Sequence, residues 1–167
     1  MSHQEHRALA PTAVACFVLT VSDTRTEQTD KSGQAIRSML QEAGHTVTGH
    51  TIVPDDPAKV TAAIREQLAN PSTRAVITTG GTGITSRDGT FEAVDQLFEK
   101  RLDGFGELFR ALSFEEIGAA AMLSRATAGT VGRAVVFILP GSEAAVRLAL
   151  SRLIVPELGH IAQQLAK

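Results

Sequence analysis

The chain alternates between short apolar runs and longer stretches in which apolar residues recur every three or four positions. Three apolar runs are nearly continuous, and they cover residues 14–21, 74–79 and 134–139. Continuous runs of this length are typical of parallel strands that are covered on both faces. A fourth run, at residues 46–53, alternates apolar and polar residues, which predicts a strand in a less buried position.

Helical patterns separate these runs. They cover residues 31–45, 56–70 and 90–102, and a last helix is predicted from residue 142 to about residue 165, with a kink or restart at Pro156. Residues 104–124 predict two more short helices, and residues 125–137 a strand, a glycine turn and a second strand. Strands and helices that alternate in this way form βαβ units with right-handed crossovers.

The predicted fold class is therefore α/β, a three-layer αβα sandwich with a mostly parallel central sheet. Of the 167 residues, 13–167 are expected to form one domain behind a flexible tail at residues 1–12.

The composition of the chain reduces the number of possible functions and locations. The net charge of −2 and the absence of Trp and Tyr disfavour nucleic acid as a partner. No apolar run reaches the roughly 18 residues of a membrane span, and the polar first residues carry no signal-peptide core. The single cysteine, Cys16, lies in an apolar run and is predicted to be an inert buried thiol. These features predict a cytoplasmic protein.

Polar stretches follow each of the four strands. In an open α/β sheet, ligands bind beyond the carboxyl ends of the strands, so these stretches are expected to meet at one edge of the sheet. They are SDTRTEQTDKSG at residues 22–33, PDDP at 54–57, TTGGTGITSRDGT at 78–90 and PGS at 140–142.

The glycine-rich stretch predicts an anion site. Gly80, Gly81 and Gly83 allow positive φ and close approach, so that backbone N–H groups can point into one concavity. The stretch lacks the lysine of a P-loop, and no dinucleotide fingerprint follows the first strand. The alternative is a turn that needs glycine only for close packing. Hydroxyl groups that could add donors belong to Thr78, Thr79, Thr82 and Thr85.

Asp55 and Asp88 place carboxylates at the same edge. Beside phosphates they are repulsive unless a divalent cation such as Mg²⁺ lies between, or unless one of them orients a nucleophile. The alternatives are structural: a helix cap or first-turn acid at Asp55–Asp56, and for Asp88 a salt bridge with Arg87 or a cap for the helix at Thr90.

Several motifs in one order carry a family resemblance. They are LTVSDTR, VPDD, TTGGTGITSRD, GFGELFR, SFEEIG, LSRATAG and LPGS. Together they resemble the MogA/MoaB family of molybdenum cofactor biosynthesis proteins, and the segment at residues 104–129 looks more like the MoaB branch. The resemblance implies a molybdopterin-binding fold and adenylyl transfer, in which the terminal phosphate of molybdopterin attacks the α-phosphorus of Mg-ATP and pyrophosphate leaves.

The resemblance also implies the roles of individual residues. Asp55 and Asp88 match the family's catalytic acids, and we expect them to act through Mg²⁺. Residues that match its binding pocket for molybdopterin and ATP are Ser22, Asp23, Thr79, Gly80, Gly81, Thr82, Gly83, Ser124, Gly141 and Ser142. The family implies a homotrimer or a dimer of trimers, and it leaves room for contact with other cofactor-biosynthesis enzymes.

Two competing hypotheses remain at this point. One is a non-catalytic trimeric protein that holds or delivers molybdopterin. The other is an unrelated sugar-phosphate or nucleotide enzyme on the same kind of fold. Apolar residues of the segment from 104 are expected either to form an interface between subunits or to complete the core, and they are Phe105, Leu108, Phe109, Leu112 and Phe114.

Overall fold

The computed structural model describes residues 2–8 and 10–167. It contains one six-stranded sheet with the strand order β2-β1-β3-β6-β5-β4. Four strands run parallel to one another: β1 (Ala15–Val21), β2 (Thr46–Val53), β3 (Ala75–Thr79) and β6 (Ala134–Leu139). The other two, β5 (Thr127–Val131) and β4 (Lys100–Arg101), continue the sheet in antiparallel pairs.

Seven helices accompany the sheet, and their bounds are α1 (His3–Ala8), α2 (Lys31–Glu42), α3 (Pro57–Leu68), α4 (Thr90–Asp95), α5 (Asp103–Ile117), α6 (Glu143–Ala149) and α7 (Val155–Leu165) among the described residues. Two hydrophobic clusters separate them into layers. One face of the sheet packs on α2, α5, α6 and α7, and the other on α3 and α4. The predicted αβα sandwich is confirmed.

The strand patterns predicted the burial of each strand. β1, β3 and β6 lie inside the sheet and are almost wholly buried, whereas β2 is an edge strand with exposed and half-buried positions. Residue Cys16 is buried, and burial raises the pKa of its thiol to about 12. The thiol is therefore neutral and inert at physiological pH, as expected.

The helix predicted over residues 90–102 is wrong in its second half. Helix α4 ends at Asp95, and Lys100–Arg101 form β4 beside β5. Tertiary contacts override the helical pattern here. The Leu102 N–H donates to the Ala128 carbonyl at 2.8 Å, and the Phe98 ring lies against Gly129 so closely that a Cβ there would be 2.2 Å from it.

The segment after β4 also differs from its prediction of two short helices. Helix α5 runs without interruption for 15 residues and ends at Gly118, whose φ of +68° breaks the helix. A 3₁₀ segment, Gly118–Leu123, follows it. The predicted restart at Pro156 is confirmed, because a π-helical turn at Leu150–Ile154 precedes α7.

The apolar residues of α5 fall into a buried group and an exposed group. The Phe109 side chain is buried in the core, and Phe105 and Leu112 pack against it. In contrast, Leu108 is 57% exposed and Phe114 is 62% exposed. Only part of this set therefore completes the subunit core.

The amino-terminal segment was expected to be a flexible tail. The structure contains α1 within it, while Met1 and Leu9 lie outside the described residues. The Pro11 carbonyl lies so close to α7 that a Cβ at Gly159 would be 2.6 Å from it. No helix of the described chain combines the length and the apolar character that a membrane crossing requires.

A histidine at the start of the sheet predicts a pH-dependent stability. The Val14 N–H donates to Nδ1 of His45 at 3.1 Å, and burial lowers the pKa of His45. The unfolded state therefore binds more protons, and the stabilisation is present above about pH 6.5 and lost as the pH falls below it. We expect His45→Asn, which keeps an acceptor without titrating, to reduce the fall in urea midpoint between pH 7.5 and 5.5. The hydrogen bond is worth about 1 kcal/mol. An unchanged fall would assign the pH dependence to other groups.

Candidate functional site

The polar stretches that follow the four parallel strands meet at one edge of the sheet, as the sequence predicted. The backbone N–H of Asp55, after β2, donates to Oδ1 of Asp23, after β1, at 3.0 Å. The Thr90 hydroxyl, at the start of α4, donates to Oδ1 of Asp55 at 2.6 Å. Gly141, after β6, lies against Gly80, after β3, so that its Cβ would be 3.6 Å from the Gly80 Cα.

Gly80 is required by close packing. Its φ is +92°, and a Cβ at this position would lie 2.2 Å from the carbonyl oxygen of Val21. Its N–H donates to the Leu139 carbonyl at 3.0 Å. The glycine thus lies where the ends of β1, β3 and β6 converge, and the packing interpretation holds at this residue.

The next four residues, Gly81–Ile84, have a different property. None of their backbone N–H groups donates to an acceptor among the described residues. The following N–H, that of Thr85, donates to Asp88 at 2.8 Å. Gly83 and Ile84 are exposed, whereas Gly81 and Thr82 are half-buried. Successive N–H groups without a protein acceptor are candidate donors to a bound anion. We call residues 81–84 the amide nest.

The threonine hydroxyls contribute less than the sequence suggested. Thr78 and Thr79 are buried, and their hydroxyls donate to the carbonyls of Phe137 at 3.2 Å and Pro140 at 2.8 Å. They tie β3 to β6 and its following turn, so the side chain of Thr79 is turned to packing and not toward a ligand. The Thr85 hydroxyl donates to Asp88. Thr82 keeps a half-buried side chain in the amide nest.

The adjacent aspartates Asp55 and Asp56 have separate roles. Asp56 caps α3 by accepting from the Lys59 N–H at 3.1 Å. Asp55 is exposed and receives the Thr90 hydroxyl on one oxygen. The capping alternative is therefore satisfied by Asp56, and Asp55 remains available to the site.

Asp88 belongs to the turn that follows the amide nest. Its Oδ2 accepts both the hydroxyl of Thr85 at 2.7 Å and the Thr85 N–H at 2.8 Å. The pKa of Asp88 lies below its usual range. The main cause is the hydrogen bond from the Thr85 hydroxyl, followed by that from the Thr85 N–H and by the charges of Arg87 and Arg125. Gly89, and not Asp88, is the N-cap of α4. Asp88 is therefore ionised at neutral pH and does not cap a helix.

The loop after β1 is attached to the turn after β6. Arg25 Nη2 and the Ser32 hydroxyl both donate to the Gly141 carbonyl at 2.7 Å. The Ser22 hydroxyl oxygen accepts the N–H groups of Thr24 and Arg25, which folds the start of this loop. Ser22 and Gly141 thus lie at the predicted edge, and both serve to shape it.

Ser142 is the N-cap of α6, where its Oγ accepts the Ala145 N–H at 3.2 Å. The turn after β6 therefore also caps the helix that follows it. Ser142 itself is exposed beside the site.

Ser124 lies in a neighbouring cavity. The cavity has a volume of about 440 Å³ and its wall includes Phe91, Arg110, Ser124 and Arg125, but neither the amide nest nor the two catalytic candidates. The Ser124 hydroxyl is buried and has no hydrogen-bond partner among the described residues. Ser124 is therefore beside the predicted pocket, and Arg125 is the residue that connects it to the amide nest.

Arg125 reaches the nest with its guanidinium group. Its Nε donates to the Thr82 carbonyl at 3.2 Å, its Nη2 to the Gly83 carbonyl, and its Nη1 pairs with Glu92. Sequence reasoning assigned no role to Arg125, Arg25 or Thr90. One feature of the sequence could have identified Arg125, namely its position as a cation inside the LSRATAG motif, shortly before a predicted strand.

The carboxylates at this edge of the sheet are candidate ligands for Mg²⁺. No group of three or more His, Cys, Asp or Glu side chains suited to a metal occurs in the part of the chain that the structure describes. Mg²⁺ needs only one or two protein carboxylates when phosphate oxygens and water complete its octahedron. Asp55 and Asp88 therefore fit Mg²⁺ that arrives with a phosphate substrate.

The fold and the amide nest define an α/β domain with a candidate anion site at the carboxyl edge of its sheet. Comparison with known proteins identifies its family. Residues 17–160 match the family described as "Probable molybdopterin binding domain". The chain belongs to this family.

Individual relatives agree with this membership. The chain is 55% identical to the molybdenum cofactor biosynthesis protein B of Bacillus anthracis, over 99% of this chain and 98% of the relative. It is similar to a crystal structure of a molybdenum cofactor biosynthesis protein B, with a TM-score of 0.91, 54% identity and coverage of 94% and 98%. It is also similar to the tungsten cofactor synthesizing protein MoaB from Pyrococcus furiosus, with a TM-score of 0.84, 43% identity and coverage of 95% and 100%. The resemblance to the MoaB branch is confirmed.

Proposed function

We propose that this protein acts in molybdenum cofactor biosynthesis and adenylylates molybdopterin with Mg-ATP. The observation that carries the proposal is the amide nest, whose four N–H groups donate to no acceptor in the described chain. It lies with the carboxylates of Asp55 and Asp88 at the carboxyl edge of the sheet. Membership of the molybdopterin-binding family supports the substrate. The names of the relatives support the pathway.

The reaction joins two anions. An oxygen of the terminal phosphate of molybdopterin forms a bond to the α-phosphorus of ATP, and the bond from that phosphorus to the β-phosphate oxygen breaks. The products are adenylyl-molybdopterin and pyrophosphate. Because the nucleophile is already an anion, positioning and charge neutralisation matter more than a strong general base.

The protein groups fit these two tasks. N–H groups of Gly81–Ile84 hold phosphate oxygens without adding a charged side chain. The low pKa of Asp88 keeps its carboxylate ionised. Asp55 and Asp88 would hold Mg²⁺, which would offset the negative charge of the oxygens on the α-phosphorus and of the leaving pyrophosphate. The Thr90 hydroxyl fixes the orientation of the Asp55 carboxylate. Since ATP is abundant in the cytoplasm, we propose that the protein acts there.

Asp88→Asn tests the function and the metal assignment together. With purified protein, molybdopterin and Mg-ATP, we expect the wild type to form adenylyl-molybdopterin, detected directly by mass spectrometry. The neutral amide should lower turnover about 100-fold, on the scale of losing one electrostatic contact to the transition state. It should also shift the Mg²⁺ dependence to higher concentration.

Three results of this assay are informative. Full turnover of Asp88→Asn with an unchanged Mg²⁺ dependence would remove Asp88 from the mechanism. Tight binding of molybdopterin by the wild type with no product would indicate a carrier of the same pathway. Binding of simple nucleotides with no affinity for the pterin would indicate an unrelated enzyme on this fold.

We further propose that the protein assembles as a trimer, or as a dimer of trimers. The support is an exposed apolar surface on α5 and the 3₁₀ segment, which consists of Leu108, Phe114, Ile117, Met122 and Leu123 and is 57–75% exposed in the single chain. We expect sedimentation to detect a species with three or six times the mass of the chain. Phe114→Glu should dissociate it, because burying the carboxylate is costly. A wild type that sediments only as a monomer at working concentration would refute this assembly.

A further inference from the structure

The side chain of Arg125 supports the amide nest through hydrogen bonds to its backbone carbonyls. Each of its three guanidinium nitrogens donates to a different acceptor, namely the carbonyls of Thr82 and Gly83 in the nest and the carboxylate of Glu92 on α4. The guanidinium carbon also lies 4.4 Å from the centre of the Phe91 ring. The planar group is thus fixed on its edges and on one face.

These contacts determine which way the nest points. In a trans peptide the carbonyl oxygen and the next N–H point in opposite directions, and no described peptide is cis. When Arg125 draws the carbonyls of Thr82 and Gly83 toward itself, the N–H groups of Gly83 and Ile84 are directed away from it. Those two N–H groups belong to the four that donate to no acceptor in the described chain. The Arg125 side chain therefore directs the N–H groups of Gly83 and Ile84 to the same side of the backbone, away from itself.

Charge argues against direct phosphate binding by this arginine. Glu92 is ion-paired with Arg125, and the Arg125 hydrogen bond holds the pKa of Glu92 below its usual range. The carboxylate is therefore ionised at neutral pH and offsets the positive charge of the guanidinium. Because each guanidinium nitrogen already donates to a protein acceptor, the chief influence of Arg125 on a phosphate is the geometry it imposes on the backbone.

We propose that Arg125 is a positioning residue, which orients the N–H groups of Gly83 and Ile84 toward a phosphate but does not itself contact that phosphate. The proposal deepens the function given above and rests on the amide nest as its phosphate site. A guanidinium is suited to this task because its donors are coplanar and fixed in direction, whereas a lysine ammonium is a single point of charge.

Pyrophosphate binding, measured by titration calorimetry in the presence of Mg²⁺ and without ATP or turnover, tests the proposal. We expect the wild type to bind pyrophosphate, and Arg125→Ala to bind it at least about tenfold more weakly, because hydrogen bonds to a charged donor are lost. Arg125→Lys should be weakened by a similar factor despite its retained charge. Glu92→Gln should bind within about threefold of the wild type, since it leaves both carbonyl contacts in place.

A role through charge predicts different results. In that case Arg125→Lys would keep the wild-type affinity, and Glu92→Gln would bind pyrophosphate more tightly because a negative charge is removed. Either result would overturn the proposal. Chemical rescue adds a second test: guanidinium ion should restore pyrophosphate affinity to Arg125→Ala, whereas methylammonium should not. Rescue by both cations to the same extent would likewise overturn it.

Two readouts separate positioning from general stability. The amide ¹⁵N–¹H signals of Gly83 and Ile84 should shift on addition of pyrophosphate in the wild type, and they should fail to shift in Arg125→Lys at the same concentration. The melting temperature of the unliganded variant should remain close to that of the wild type. Unshifted Gly83 and Ile84 signals in a wild type saturated with pyrophosphate would refute the proposal.

The proposed function and the role of Arg125 can fail independently. If pyrophosphate binds in the manner expected but no adenylyl-molybdopterin forms, the enzyme activity is wrong and the positioning role stands. If adenylyl-molybdopterin forms while Arg125→Lys binds pyrophosphate as the wild type does, the activity stands and the positioning role is wrong. A wild type that binds no pyrophosphate would overturn the positioning role.

Discussion

Replacing Asp55 by Asn is expected to lower the rate of adenylyl transfer about 100- to 1,000-fold, the scale seen when one preorganised electrostatic contact is lost. The variant removes the charge of the carboxylate but keeps an oxygen that can accept the Thr90 hydroxyl, which lies 2.6 Å away. The local structure should therefore persist, and the loss should be confined to binding of the Mg²⁺ that offsets the charge of the phosphates. Direct measurement of adenylyl-molybdopterin under saturating Mg-ATP checks this prediction.

The next residue offers a matched control. Asp56→Asn makes the same chemical change one position away, at the N-cap of α3. Asn and Asp are about equally good N-caps, so stability should change by less than about 0.5 kcal/mol and turnover should stay near that of the wild type. Equal loss of turnover in both variants would mean that net charge near the site, and not Asp55 itself, controls the reaction.

Gly80→Ala is expected to destabilise the fold by about 3 kcal/mol. Positive φ costs an L-residue about 1–2 kcal/mol, and overpacking adds about 1–3 kcal/mol. Both apply at Gly80, where φ is +92° and a Cβ would lie 2.2 Å from the backbone oxygen of Val21. A backbone atom in a central strand has little freedom to move aside. The unfolding midpoint in urea, at fixed protein concentration, measures the effect.

Alanine substitutions at two other glycines separate the cost of positive φ from the cost of overpacking. At Gly132, φ is +57° but no atom lies within 4 Å of the position that a Cβ would take, so alanine there should show the backbone cost alone, about 1–2 kcal/mol. At Gly104, in the first turn of α5, a Cβ also meets nothing and φ is not positive. Alanine should stabilise the protein there by about 0.4–1 kcal/mol. If Gly80→Ala cost no more than Gly132→Ala, the close contact with Val21 would be without consequence.

The helical pattern of residues 90–102 illustrates what local sequence does not determine. The segment has apolar residues at helical spacing, yet only Thr90–Asp95 is helical. Lys100–Arg101 instead pair with β5, because Phe98 packs on Gly129 and the Leu102 N–H finds the Ala128 carbonyl. These partners lie about 30 residues away along the chain, so no pattern within the segment could reveal them.

The roles of the threonines in the glycine-rich stretch are likewise not determined by local sequence. From the sequence, Thr78 and Thr79 were candidate donors to a ligand. In the fold they end a central strand, where burial requires their hydroxyls to be satisfied, and the carbonyls of Phe137 and Pro140 accept them. The sequence likewise does not show whether Asp55 or Asp56 caps the following helix. Only the path of the chain into α3 shows that the cap is Asp56.

The sequence by itself determined the α/β class, the four parallel strands, the edge of the sheet where polar loops meet, and the family. It could do so because strand burial, helix periodicity and the motifs are encoded by residues close together in the chain. The tertiary structure decided which polar groups are consumed by packing and which remain for a ligand. That decision depends on partners distant in sequence, as when Arg125 donates to the carbonyls of Thr82 and Gly83 while the N–H groups of Gly83 and Ile84 find no acceptor among the described residues.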